Sequence, residues 1–114
     1  MFLMANPTFF IKRNDDQPTL DVALRDDKNR PVDVTGASVV FHMRNTADDT
    51  TKISGASVTV LAASKGEVRY SWTTTNTNTA GNFEAEFQVT FSDGGVQTFP
   101  NDGYIDVIIT EDVV

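Results

Sequence analysis

The residue types that do chemistry are sparse in this chain. Histidine occurs once, at position 42, and cysteine does not occur at all. Thiolate metal sites, disulfides and cysteine nucleophiles are therefore excluded. A serine triad would have to use His42, and no Gly-x-Ser-x-Gly elbow leads into a helical pattern. His42 falls on the outward register of an alternating stretch, so it reads as an exposed strand histidine rather than a general base or ligand. Acid pairs occur at Asp15-Asp16, Asp26-Asp27 and Asp48-Asp49. Asp26, Asp27 and Asn29 could offer oxygens to calcium, but the spacing of an EF-hand loop is missing. Asp and Asn favour turns for local hydrogen-bonding reasons, and solvated turns account for these pairs. Tyr70, Trp72 and Tyr104 could form an aromatic platform for a sugar. Tyr70 and Trp72 share the register of Val68, however, which turns both towards a core. No glycine-rich phosphate loop is present. The chain reads as a non-enzyme with no catalytic, cofactor or metal site.

What remains is a surface. From Asn82 to Phe91 apolar and polar residues alternate without a break. Side chains of a strand point to opposite faces with period two, so Phe83, Ala85, Phe87, Val89 and Phe91 face a core. Glu84, Glu86 and Gln88 share the other face and form the candidate partner-binding row. The charge distribution supports that choice. Net charge is −7; residues 1–69 hold all nine Lys and Arg with an equal number of acids, and residues 70–114 hold seven acids and no Lys or Arg. The imbalance argues against binding nucleic acid or an anionic membrane, both of which need basic patches. It suits solubility, or an acidic face that prefers a basic protein partner.

A half-buried strand cannot stand alone, and the rest of the chain must supply a second layer. Asp93-Gly94-Gly95 marks a tight hairpin turn into residues 96–99. Earlier in the chain, 9–12 reads as a first short strand, 19–25 and 37–44 alternate, and 56–61 is rich in Val and Thr. Residues 67–72 alternate with Val68, Tyr70 and Trp72 on one side, and 104–110 close the series with Ile105, Val107 and Ile109 inward. Residues 45–55 read as a long loop and 73–79, rich in Thr and Asn, as a connection. The helical spacing i, i+3, i+4, i+7 is not sustained anywhere. Strands at roughly ten-residue intervals separated by turn signals are the pattern of a sandwich. The expected fold is all-β, an immunoglobulin-like β-sandwich of seven to eight antiparallel strands. At 114 residues it forms a single domain, 1–114, with an N-terminal arm at 1–7. Met1-Phe2-Leu3-Met4-Ala5 is too short and too uncharged for a signal peptide, and no stretch reaches membrane-spanning length.

Five pieces in order also resemble a known family. They are 10–18 (FIKRNDDQP), 20–26 (LDVALRD) with 31–41 (PVDVTGASVVF), 66–72 (GEVRYSW), 80–87 (AGNFEAEF), and 98–100 with Tyr104-Ile105. Together they are similar to the N-terminal domain of the phage baseplate upper protein family, an immunoglobulin-like module of tailed-phage virions. The resemblance implies a non-catalytic structural protein of the virion, an assembly or adaptor module of baseplate or tail, built in the host cytoplasm. Its implied partners are other virion proteins in a symmetric homo- or hetero-oligomeric assembly. A capsid decoration or head-fibre protein of the same fold is the alternative, and a carbohydrate-binding module is a second.

Overall fold

The computed structural model describes residues 7–113. Of the expected N-terminal arm, residues 1–6 lie outside the described part. Nine strands follow in order: β1 (Thr8–Lys12), β2 (Leu20–Ala23), β3 (Ser38–Asn45), β4 (Thr51–Ser57), β5 (Thr59–Ala62), β6 (Glu67–Tyr70), β7 (Gly81–Thr90), β8 (Val96–Phe99) and β9 (Ile105–Thr110). The larger sheet runs β1-β9-β7-β3-β4, with β8 also paired to β7, and the smaller runs β2-β6-β5. In immunoglobulin lettering the larger sheet is the G-F-C sheet with C′ added and the first strand carried across to G, and the smaller is B-E-D. The fold is the expected all-β, immunoglobulin-like sandwich.

β7 is the organising strand because three others pair with it. β3 runs along one side, from Ser38↔Thr90 to Asn45↔Phe83. The other side is divided between β9, opposite 81–85, and β8, opposite 87–90. The turn into β8 is closed by the Phe91 N–H to Gly95 carbonyl bond at 2.8 Å, and Asp93 Oδ1 accepts the Gly95 N–H at 2.8 Å. The inward row of β7 is fully buried: Phe83, Ala85, Phe87 and Val89 are each at most 1% exposed. Phe41 on β3 stands opposite Phe87, with ring centroids 5.1 Å apart. It also stacks on Tyr70 of the smaller sheet at 4.2 Å, while Trp72 meets Phe41 and Tyr70 edge-on and lies parallel to Phe9 at 5.7 Å. Aromatic pairs in these offset and edge-to-face arrangements contribute beyond their buried area, and here they join the two layers.

Two features differ from the expectation. The 45–55 stretch is a loop only to about Thr50; Thr51–Ser57 is strand β4, on the edge of the larger sheet against β3. Only Ile53 of this strand is buried, so its residue types carry no alternating signal. The expected single strand at 56–61 divides at Val58, where the chain leaves the larger sheet and enters the smaller as β5. The described residues thus form nine strands, and β1 pairs with β9 in parallel while every other ladder among them is antiparallel.

Backbone packing is tightest at Gly66, between the short 3-10 turn Ala63–Lys65 and β6. Its φ is +65°, and a Cβ there would lie 2.5 Å from the Val32 carbonyl and 2.9 Å from that of Leu24. Only glycine satisfies both constraints. The Thr- and Asn-rich connection is likewise ordered: Tyr70 donates its hydroxyl to Asn76 Oδ1 at 2.7 Å, and buried Thr77 donates to the Asp15 carbonyl at 2.8 Å.

Candidate functional site

The candidate row Glu84, Glu86 and Gln88 lies on the outer face of the larger sheet, half-buried and alternating with the core positions. The partners of that row come from strands distant in sequence. Arg44 stands opposite Glu84 and donates Nε to Glu84 Oε1 at 3.1 Å. The hydrogen bond to Glu84 pushes the Arg44 pKa further up, and the guanidinium stays charged. Arg44 also donates Nη2 to the Tyr104 hydroxyl at 3.0 Å, and its guanidinium carbon lies 5.0 Å from the centre of that ring. On the other side of Glu84, β9 places Asp106 directly opposite. One row across the face therefore reads Asp106, Glu84, Arg44.

The next row contains Glu86 with His42 opposite it. His42 does not stand free on the strand. Its Nδ1 accepts the Gly55 N–H at 3.0 Å, so Nε2 carries the proton and donates to Gln88 Oε1 at 2.8 Å. Gly55 has φ +66° and sits where β4 slips register against β3, so the imidazole holds an irregular edge strand to the sheet. Both ring nitrogens are occupied by structural bonds, and this corrects the expectation of a merely exposed histidine.

Of the candidate row, then, Glu84 and Gln88 are engaged within the fold. Glu86 has no ion-pair partner among the described residues, and neither has the exposed Asp106. Between the two rows lies a shallow depression of about 250 Å³, lined by His42, Arg44, Ser54, Glu84, Glu86 and Tyr104 among others. Its lining brings the Glu86 carboxylate beside the Arg44–Glu84 ion pair and the half-exposed Tyr104, while Asp106 lies across Glu84 on β9. Tyr104 and Asp106 were not in the expected row, because their place depends on the pairing of β9 with β7, which only the fold determines.

The remaining candidates fall into structural roles. Asp26 accepts the N–H groups of Lys28 and Arg30 at 2.9 and 2.8 Å and the Arg30 Nε at 2.9 Å, closing its own turn. Asp48 accepts from the N–H and hydroxyl of Thr50. Tyr70 and Trp72 are each 4% exposed, so two of the three aromatics considered for a sugar platform belong to the core. Among the described residues no group of three metal-ligating side chains converges, and no helix is long and apolar enough to cross a membrane.

The solved structure of CopC from Methylosinus trichosporium OB3b is similar, with a TM-score of 0.52 over 95% of this chain and 88% of that one. Identity is 10%, so the likeness shows the fold alone. No curated protein matches the chain. The family model described as the BppU N-terminal domain matches residues 5–99, from the start of β1 through β8 and so across both sheets. By that match the chain belongs to the BppU N-terminal domain family, a baseplate-related structural module of bacteriophages.

Proposed function

We propose that this chain is a non-catalytic module of a tailed-phage virion, one folded unit over 1–114 that docks to neighbouring baseplate or tail proteins. The observation that carries the reading is a pair of carboxylates on the outer face of the larger sheet, Glu86 lining the depression and Asp106 opposite Glu84 on β9, neither with an ion-pair partner among the described residues. An acidic, half-buried sheet face of this kind complements a basic protein surface, and such complementarity sets register and encounter rate. Membership of a baseplate-related family supports other virion proteins as the partners. Closed symmetric assemblies repeat one such contact many times, so each contact can be modest.

Charge reversal tests this directly. Glu86→Lys with Asp106→Lys should lower the amount of this chain in purified particles, measured by mass spectrometry. The salt dependence of its association with particle components should weaken as well. Unchanged incorporation and unchanged salt dependence would remove the acidic face as the docking surface.

A further inference from the structure

The free edges of the two sheets are not equivalent. β4 slips register twice against β3, and β5 slips once against β6. Bulges of this kind twist an edge away from further pairing. β2 and β8 are only four residues long. β1 is different: it pairs with β9 without a register shift over all five residues and, among the described residues, has no strand on its other side.

The phase of the β1–β9 ladder is set by the bonds at its two ends. Asp106 N–H donates to the Pro7 carbonyl at 2.9 Å, and Arg13 N–H donates to the Thr110 carbonyl at 2.8 Å. In a parallel ladder alternate residues direct both their N–H and their C=O to the same neighbour. Pro7, Phe9, Ile11 and Arg13 therefore face β9, and Thr8, Phe10 and Lys12 direct their backbone groups to the open edge. The Phe10 side chain is 63% exposed on the same outer face as Asp106 and Glu84.

We infer that β1 is a self-association edge, at which a second copy of this chain adds its own β1 in antiparallel register about Phe10. The occupant is identified by self-complementarity. With Phe10 opposite the second copy's Phe10, the two exchange both backbone bonds, and Thr8 falls opposite the second copy's Lys12 on either side. Like charges are kept apart, because no Lys12 meets another. The second copy's Lys12 comes to the end of the row Thr8, Asp106, Glu84, one strand from the unpaired Asp106. The two exposed phenylalanines cover each other on the outer face, and aromatic cross-strand pairs are among the favourable ones. The two larger sheets become one continuous sheet across a two-fold axis. One strand pair lies at the small end of interface sizes, below about 1,200 Å² in total, so the dimer is weak in dilute solution and forms at high local concentration.

The test is sedimentation velocity of the full chain over a wide concentration range, with two variants. Phe10→Pro removes an N–H that points to the open edge and leaves the β1–β9 ladder whole, and Phe10→Glu sets two negative charges against each other at the axis. Wild-type chain should self-associate, and each variant should do so about tenfold more weakly or less while keeping its melting temperature. Because the chain has no cysteine, Phe10→Cys and a control, Val96→Cys at an exposed position of β8, each carry one thiol. A short bifunctional thiol reagent should link the first into dimers and leave the second monomeric. A wild-type chain that stays monomeric throughout, or equal crosslinking at both positions, would overturn the inference. The two proposals share Asp106 but not Phe10 or Glu86, so Phe10→Pro tests the edge alone and Glu86→Lys tests the docking face alone.

Discussion

Arg69 grips Asp21 with both arms of its guanidinium, Nε to Oδ1 at 2.8 Å and Nη2 to Oδ2 at 2.9 Å, directly across the β2–β6 pair. The Arg69 hydrogen bond is the main reason the Asp21 carboxyl titrates below the usual carboxylate range, with a further bond from Thr19. A folded-state value below the unfolded one means that the contribution to stability is complete above the unfolded value, about 3.9. It is lost as pH falls through the folded value. Denaturant melts of wild type and Asp21→Asn should therefore differ at neutral pH and converge in acid. A difference that persists unchanged in strong acid would contradict the pairing.

Phe87 is fully buried at the centre of β7, against Phe41. Its replacement by Ala should cost roughly 3–5 kcal/mol of folding stability, because the close-packed aromatic cluster can collapse only partly onto the space left. A loss under about 1 kcal/mol in denaturant melts would contradict this placement.

Gly66→Ala should destabilise the fold by more than about 1 kcal/mol, since the new methyl meets two backbone carbonyls and the φ is unfavourable for any side chain. Gly36→Ala has a similar φ but open space around it, and should cost less. Equal losses in thermal melts would show that the close contact with Leu24 and Val32 is not limiting.

His42→Ala should act locally. Removing the imidazole frees the Gly55 N–H at the irregular edge, so amide exchange should quicken through β4 while the amides of β7 stay protected. Equal acceleration in both strands would mean that the histidine supports the core instead.

The alternation of β7 was legible from Asn82 to Thr90 because its two faces differ sharply, aromatic against acidic; Phe91, expected as its last inward residue, lies beyond the strand and is half-buried. β3, β6 and β9 were visible for the same reason. β4 was not: it is a strand through pairing with β3, and its Thr, Lys, Ser and Gly residues say nothing of that partner. The division at Val58 was hidden because an apolar residue facing one sheet looks the same in sequence as one facing the other. At the candidate site, the outward direction of Glu84, Glu86 and Gln88 could be read from period two. Which of them is already paired could not, since Arg44 and His42 meet them through contacts some forty residues apart in the chain. The outward candidate row thus narrows from three residues to Glu86, joined by Asp106 from β9.

A virion module that docks through the outer face of its larger sheet must bury that face against a neighbour in the assembled particle. A cryo-EM map of intact particles, detailed enough to place the nine strands, tests it most directly. The module should lie in the baseplate or tail, with Glu86, Asp106 and Tyr104 against a basic surface of a neighbouring protein. A module found only on the capsid lattice, or one whose outer sheet face meets solvent on every copy, would contradict it.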